Sequence, residues 1–275
     1  MNQMAEPEYE EQFTAFVDFL GFSEASNRTD DDTRLKILNL LRSLSALRGE
    51  FEVHTAPEQG GNRINIKPAI SSFSDNIVIS YPLGPILAST GSNEHIAALS
   101  ILWNFNDLLT RIASAALSIG FLIRGGATIG KLYHANGVVF GEALVDAYQI
   151  ESRTSFYPRV IVSSKITRRE EWMKSQAMNL LKGHDGLYYF DCFTMLTLRS
   201  LERGEDWAEK LKAWYHNAAE IIGKNLTRLE GEGKLNELSK WAWYAHEFRS
   251  GLERLSPEIL KGLGVSLDAI SWRNI

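Results

Sequence analysis

Two stretches hold residues whose types and spacing could do chemistry. Phe16-Val17-Asp18-Phe19-Leu20-Gly21-Phe22-Ser23 and Phe73-Ser74-Asp75-Asn76-Ile77-Val78-Ile79-Ser80 each set one aspartate in an apolar, β-prone run. A bare carboxylate in such surroundings is costly to bury, so each aspartate needs a partner, and a divalent cation is among the best. Gly21, Phe22 and Ser23 follow the first aspartate, where a small-residue turn offers backbone N–H groups to an anion. Two acids on neighbouring strands with a phosphate-sized turn beside one would suit a metal–triphosphate site. A single aspartate of this kind is more often a strand-end cap or a hydrogen-bonded core group. The pair carries the chemical reading.

Positioning these residues requires a sheet. Phe13 to Leu20 is expected as a buried first strand, and Asp30 to Arg48 as a helix with apolar Leu35, Leu38, Leu41 and Leu44 and acids at its start. Gln59 to Asn62 is expected as a turn, Arg63 to Lys67 as a strand, and Phe73 to Tyr81 as the next strand, closed by Pro82 to Pro85. Asn93 to Ile119 is expected as a long helix buried on more than one side. Strands are expected at Phe121 to Gly130, Gly137 to Phe140, Arg159 to Val162 and Leu187 to Phe190, with a helix from Glu142 to Glu151. From Trp207 to Leu260 the spacing of Leu211, Trp214, Ile221, Ile222 and Leu226, then Leu235, Leu238, Trp241 and Trp243, is helical. No internal repeat or low-complexity linker stands out.

The 275 residues are 44% hydrophobic and 23% charged, enough for a sizeable core. A net charge of −5 argues against a nucleic-acid partner. The acidic start, with Glu6, Glu8, Glu10 and Glu11, lacks the apolar stretch of a secretory signal, and Cys192 is the one cysteine. The expected compartment is the cytoplasm. The longest apolar stretch, around Ile112 to Ile123, is broken by serines and a glycine, so direct membrane insertion is not expected. The six histidines show no metal-ligand spacing.

Further motifs lie downstream: Leu122-Ile123-Arg124-Gly125-Gly126-Ala127-Thr128-Ile129-Gly130-Lys131-Leu132, then Gly137 through Gly141 to Ala147 and Glu151. With the aspartate runs, these resemble the class III nucleotidyl cyclases, whose pattern runs F-x-D-x-x-G-F-[ST], a hairpin with G-D, R-x-G-x-x-x-G, and G-x-x-V-N-x-A-x-R-x-E. The resemblance covers roughly Phe13 to Asp191. It implies an α+β fold with a ferredoxin-like βαββαβ core in residues 1–195 and a helical extension in 196–275. It further implies two Mn²⁺ or Mg²⁺ ions held by Asp18, Asp75 and the Phe19 carbonyl, and phosphate contacts from Gly21, Phe22, Ser23 and Lys182. A homodimer is implied as well, with metal ligands from one core and later-strand residues from the other. Arg124 is expected to be structural.

The departures bear on substrate. Ser74 stands where the pattern has glycine, and Ser71 and Val138 stand where purine cyclases read the base. Val138 has no side-chain hydrogen-bonding group. Val145 and Gln149 replace the ribose-orienting Asn and the transition-state Arg. Two explanations fit: a degenerate cyclase fold that binds without chemistry, or an enzyme acting on another base. Retention of both metal-ligand positions favours activity. A stand-alone cyclase without purine readers resembles the bacterial anti-phage pyrimidine cyclases, which make cyclic UMP or cyclic CMP to signal to a separate cyclic-nucleotide-sensing effector. UTP is the expected substrate ahead of CTP; an adenylate or guanylate cyclase is the alternative.

Overall fold

The computed structural model describes residues 9–22, 25, 31–46, 68–174, 180–193, 197 and 205–264. The expected turn at Gln59 to Asn62, the strand at Arg63 to Lys67 and the site residue Ser23 lie outside them. The fold is mixed α+β, with helices accompanying one mixed sheet.

In chain order the elements are β1 (Glu10–Leu20), α1 (Asp31–Ala46), β2 (Ala69–Phe73), β3 (Asn76–Pro82), α2 (Leu83–Ser89), α3 (Glu94–Ser118), β4 (Leu122–Ala135), β5 (Val138–Phe140) and α4 (Glu142–Arg153). Then come β6 (Val160–Val162), α5 (Ser164–Thr167), α6 (Glu170–Met173), β7 (Leu180–Lys182), β8 (Tyr188–Phe190), α7 (Glu205–Gly231), α8 (Leu235–Glu253) and α9 (Pro257–Leu263). The sheet runs β2-β3-β1-β4-β6-β8-β7, and β5 pairs with β4 outside that path. Pairing is antiparallel for β1–β3, β2–β3, β6–β8 and β7–β8, and parallel for β4–β6.

Three expectations give way here. The run from Phe73 to Tyr81 is two strands, because Ser74 and Asp75 form a reverse turn between β2 and β3. Ser and Asp are turn formers, and Ser74 takes φ 54°, in the left-handed region. Pro82 to Pro85 does not simply close a strand; it leads into α2. Gly137, expected to open a strand, lies in the turn instead: the β4–β5 connection is Asn136-Gly137, at φ 52° and 79°, the conformation a two-residue type I′ hairpin demands.

The chain divides into two compact units, residues 1–105 with 123–190, and 106–122 with 191–275. In the first unit, β1 alternates. Phe13, Ala15, Val17 and Phe19 are buried on one side, where Phe13 meets Phe105 at 4.9 Å, Trp172 at 6.1 Å and Tyr81 at 6.3 Å between ring centroids. On the other face, Phe16 meets Tyr148 of α4 edge-on at 5.4 Å between ring centroids. On α4 the buried residues are Ala143, Ala147 and Glu151, one helical stripe. That helix comes close to the sheet because β4 has no side chain at Gly126. A Cβ there would lie 2.4 Å from the Ala147 carbonyl oxygen and 2.6 Å from Ile150 Cβ.

In the second unit, Leu211, Tyr215, Ala218, Ile222, Leu226 and Leu229 form the buried stripe of α7. Phe248 of α8 meets Tyr215 and Phe193 edge-on, each at 5.7 Å between ring centroids. Leu235, expected as part of the apolar face, is 74% exposed in the first turn of α8. No described helix is long and apolar enough to cross a membrane.

Candidate functional site

Asp18 sits near the end of β1 and pairs in register with Asn76, the first residue of β3. Asp75 precedes Asn76 in the hairpin turn, and its backbone carbonyl accepts a hydrogen bond from the Phe19 N–H at 3.0 Å. The two aspartates therefore stand side by side at one end of the central strands. Asp75 is not an acid buried within a strand: it is half-buried at the turn, where its carboxylate accepts from Asn76 Nδ2 at 3.0 Å. Just beyond, Gly21 takes φ 96°, a conformation that favours glycine and ends the strand, with Phe22 buried behind it. Ala25 N–H donates to the Gly21 carbonyl at 3.1 Å.

Arg124 is part of this site. Its Nε donates to Asp18 Oδ2 at 3.1 Å, and its Nη2 lies 2.7 Å from Glu151 Oε1. The side chains of Asp18, Arg124 and Glu151 are 15%, 25% and 4% exposed, so the pairing takes place away from bulk water. The helix stripe that Gly126 admits is what delivers Glu151 to the guanidinium. Burial pushes the Glu151 carboxyl above its ordinary range; Arg124 opposes the rise, while the negative charges of Asp18 and Asp75 add to it. Three carboxylates and one guanidinium thus share one end of the sheet, a local excess of negative charge that would attract a cation.

Among the described residues no group of three or more His, Cys, Asp or Glu side chains is placed to hold a metal ion. Two aspartates and a carbonyl do not require one. They are hard oxygen donors of the kind Mg²⁺ and Mn²⁺ take, the remaining positions going to substrate phosphates and water. The donor set fits such ions.

A second polar cluster joins β2, β3 and the β4–β5 hairpin. His134 is 8% exposed; its Nδ1 lies 2.9 Å from Ser80 Oγ and its Nε2 lies 2.8 Å from Ser71 Oγ. His134 pairs in register with Val139, next to the pair of Ala135 with Val138. Of the two positions expected to face a base, Ser71 is thereby tied to His134, whereas Val138 pairs with Ala135 and points to the opposite face of the hairpin from His134. Val138 itself is 51% exposed. Sequence spacing assigned no histidine to a site; the signal is the polar pairing across strands, invisible before folding.

Lys182 lies elsewhere. It ends β7, at the far edge of the sheet, and its Nζ sits 5.4 Å from the centroid of the Tyr188 ring. It belongs to a strand, and the turn after it begins at Gly183, whose N–H donates to the Leu187 carbonyl at 2.9 Å. Arg159 holds that turn by pairing with Asp185, whose carboxyl it keeps below the ordinary range. Val145 and Gln149 are exposed on α4, and Tyr148 beside them is 52% exposed.

Compared with known proteins, the chain matches no protein-family model and no curated protein.

Proposed function

We propose that this chain is a metal-dependent nucleotidyl cyclase that converts a pyrimidine nucleoside triphosphate, UTP ahead of CTP, into the 3′,5′-cyclic monophosphate and pyrophosphate. One observation carries the reading: Asp18 and Asp75 stand side by side beside the Gly21 turn, at the end of strands ordered β2-β3-β1-β4. That order, with helices between β1 and β2 and between β3 and β4, is the one a ferredoxin-like core would have.

In this reading Asp18, Asp75 and the Phe19 carbonyl would hold two Mn²⁺ or Mg²⁺ ions, which when bound supply Lewis-acid charge at the reacting phosphate. The chain's own residues do the rest. The N–H groups at Gly21 and Phe22 bind and orient the outer phosphates. Arg124, held by Glu151, fixes the Asp18 carboxylate in place. The ribose 3′-hydroxyl is set in line with the α-phosphorus, and that alignment supplies much of the rate.

Lys182 is four strands from β1 in the sheet order, ~19 Å at ordinary strand spacing. Asp18 and Lys182 of one chain therefore do not hold the same triphosphate, which supports a homodimer whose sites are shared between copies. The absence of charged side chains at Ser71 and Val138 supports a pyrimidine. We place the enzyme in the cytoplasm, where its product signals to a separate effector in defence against phage.

One observation favours a second reading. The guanidinium on Asp18 stands where a cation would, so a binding module that has replaced metal by Arg124 fits too. Incubation with each of the four ribonucleoside triphosphates and Mn²⁺, followed by mass spectrometry, decides between them. Cyclic UMP and pyrophosphate are expected, lost by ~10²-fold or more in Asp18→Ala or Asp75→Ala. No product from any nucleotide favours the module, and faster turnover of ATP or GTP makes the chain a purine cyclase.

A further inference from the structure

The Ser71–His134–Ser80 chain has a consequence for which pyrimidine is taken, and it rests on the nucleotide reading above. A neutral imidazole carries one N–H and one lone pair. With Ser80 Oγ 2.9 Å from Nδ1 and Ser71 Oγ 2.8 Å from Nε2, one serine must donate to the ring and the other must accept from it. Ser80 is fully buried on β3 and Ser71 is half-exposed on β2, so the ring passes the polarity of an interior group to a surface hydroxyl.

We propose that His134 is a positioning residue that fixes whether Ser71 presents a hydrogen-bond donor or an acceptor to the base, and so sets the choice between uracil and cytosine. The two bases differ in the required sense. Uracil offers an acceptor at O4 and a donor at N3–H, whereas cytosine offers a donor at N4 and an acceptor at N3. A hydroxyl free to rotate serves either base. A Ser71 hydroxyl that donates to Nε2 has its proton committed and offers the base lone pairs alone, so it matches one base at a given edge atom and leaves a polar group unmet with the other.

The test uses 3′-deoxy-UTP and 3′-deoxy-CTP, which lack the attacking hydroxyl, in calorimetric titrations of the full chain with Mn²⁺. Wild type is expected to prefer one of them by roughly ten-fold. In Ser71→Ala and His134→Asn the preference should fall to within about three-fold, a smaller gap than one mismatched hydrogen bond produces. If His134 only supported the fold, its loss would weaken both nucleotides alike and leave their ratio standing, which overturns the inference. Ser71→Ala, at a half-exposed position, decides the matter if His134→Asn fails to fold. An unchanged ratio in Ser71→Ala, or no preference in wild type, likewise overturns the role of His134 while the nucleotide reading stands. Binding of neither nucleotide to wild type overturns both.

Discussion

Replacing Arg124 by Gln removes the positive charge that Asp18 and Glu151 share while keeping a polar side chain. Taking away one partner of a fully buried pair costs about 3–5 kcal/mol, and an exposed pair contributes about 0–1 kcal/mol. Arg124 is 25% exposed and Glu151 4%, between those limits and nearer the first, so a loss of about 2–3 kcal/mol is expected. For a unit of this size that lowers Tm by roughly 5–10 °C. The loss should depend on pH. Burial raises the Glu151 carboxyl in the folded chain, and Arg124 restrains the rise. A carboxyl raised on folding binds its proton more tightly in the native state, so it favours the fold at low pH. That contribution disappears as pH climbs from the ordinary carboxyl range through the raised value. Without Arg124 the rise is larger, so Arg124→Gln should be less harmful at about pH 4.5 than at about pH 8. Thermal melts at both pH values, followed by circular dichroism, measure the difference. If the site also takes a cation, Mn²⁺ at about one hundred times its Kd would restore up to about 2.7 kcal/mol. A change below about 0.5 kcal/mol at both pH values would refute the ion-pair argument, since exposed surface substitutions behave that way.

Gly126→Ala should push α4 off the sheet and destabilise by about 1–3 kcal/mol, read by urea melts, with Gly231→Ala, exposed and with open space for a Cβ, as the control that does not destabilise. Thr14 is fully buried and its hydroxyl has no hydrogen-bond partner among the described residues, so the isosteric Thr14→Val should leave stability unchanged or raise it by about 1 kcal/mol. Asp185 is lowered chiefly by its hydrogen bond with Arg159, so its contribution is present above the ordinary carboxyl pKa and lost as pH falls through the folded value. Because Asp185 is 43% exposed, Asp185→Asn should cost only about 0.5–1 kcal/mol at neutral pH, a difference that vanishes in acid.

Local pattern made much of the first unit legible. The alternation along Phe13 to Leu20 is that of a strand with one dry face, and the long apolar run after Asn93 is α3, because both report burial by nearest-neighbour spacing. Local pattern hid the turn at Ser74-Asp75, because apolar residues flank it on both sides and the turn formers read as a strand interrupted only by polarity; the hairpin came from the resemblance alone. The site was legible only in part. Asp18 and Asp75 announce themselves by being acids among apolar neighbours. Ser71 and Ser80, however, lie 63 and 54 positions from His134, and nothing local to any of the three points to the others. Arg124 is distant in sequence from both its carboxylates for the same reason: strand order and the α4 crossing, set by the whole fold, bring them together.

Ser74 holds a left-handed backbone that few residue types enter without strain. The apex of the β2–β3 hairpin is therefore a narrow passage for sequence change, whatever the neighbouring side chains do. Glycine, asparagine and aspartate pass through it, while valine, isoleucine and threonine are turned back. Phe73, one position earlier and 83% exposed, meets no such filter from the backbone. In a population of variants selected only for folding, adjacent positions of one turn would diverge at very different rates. Asp75 would then stay at its place at the strand ends because the residue before it is so constrained, independently of any selection on the carboxylate itself.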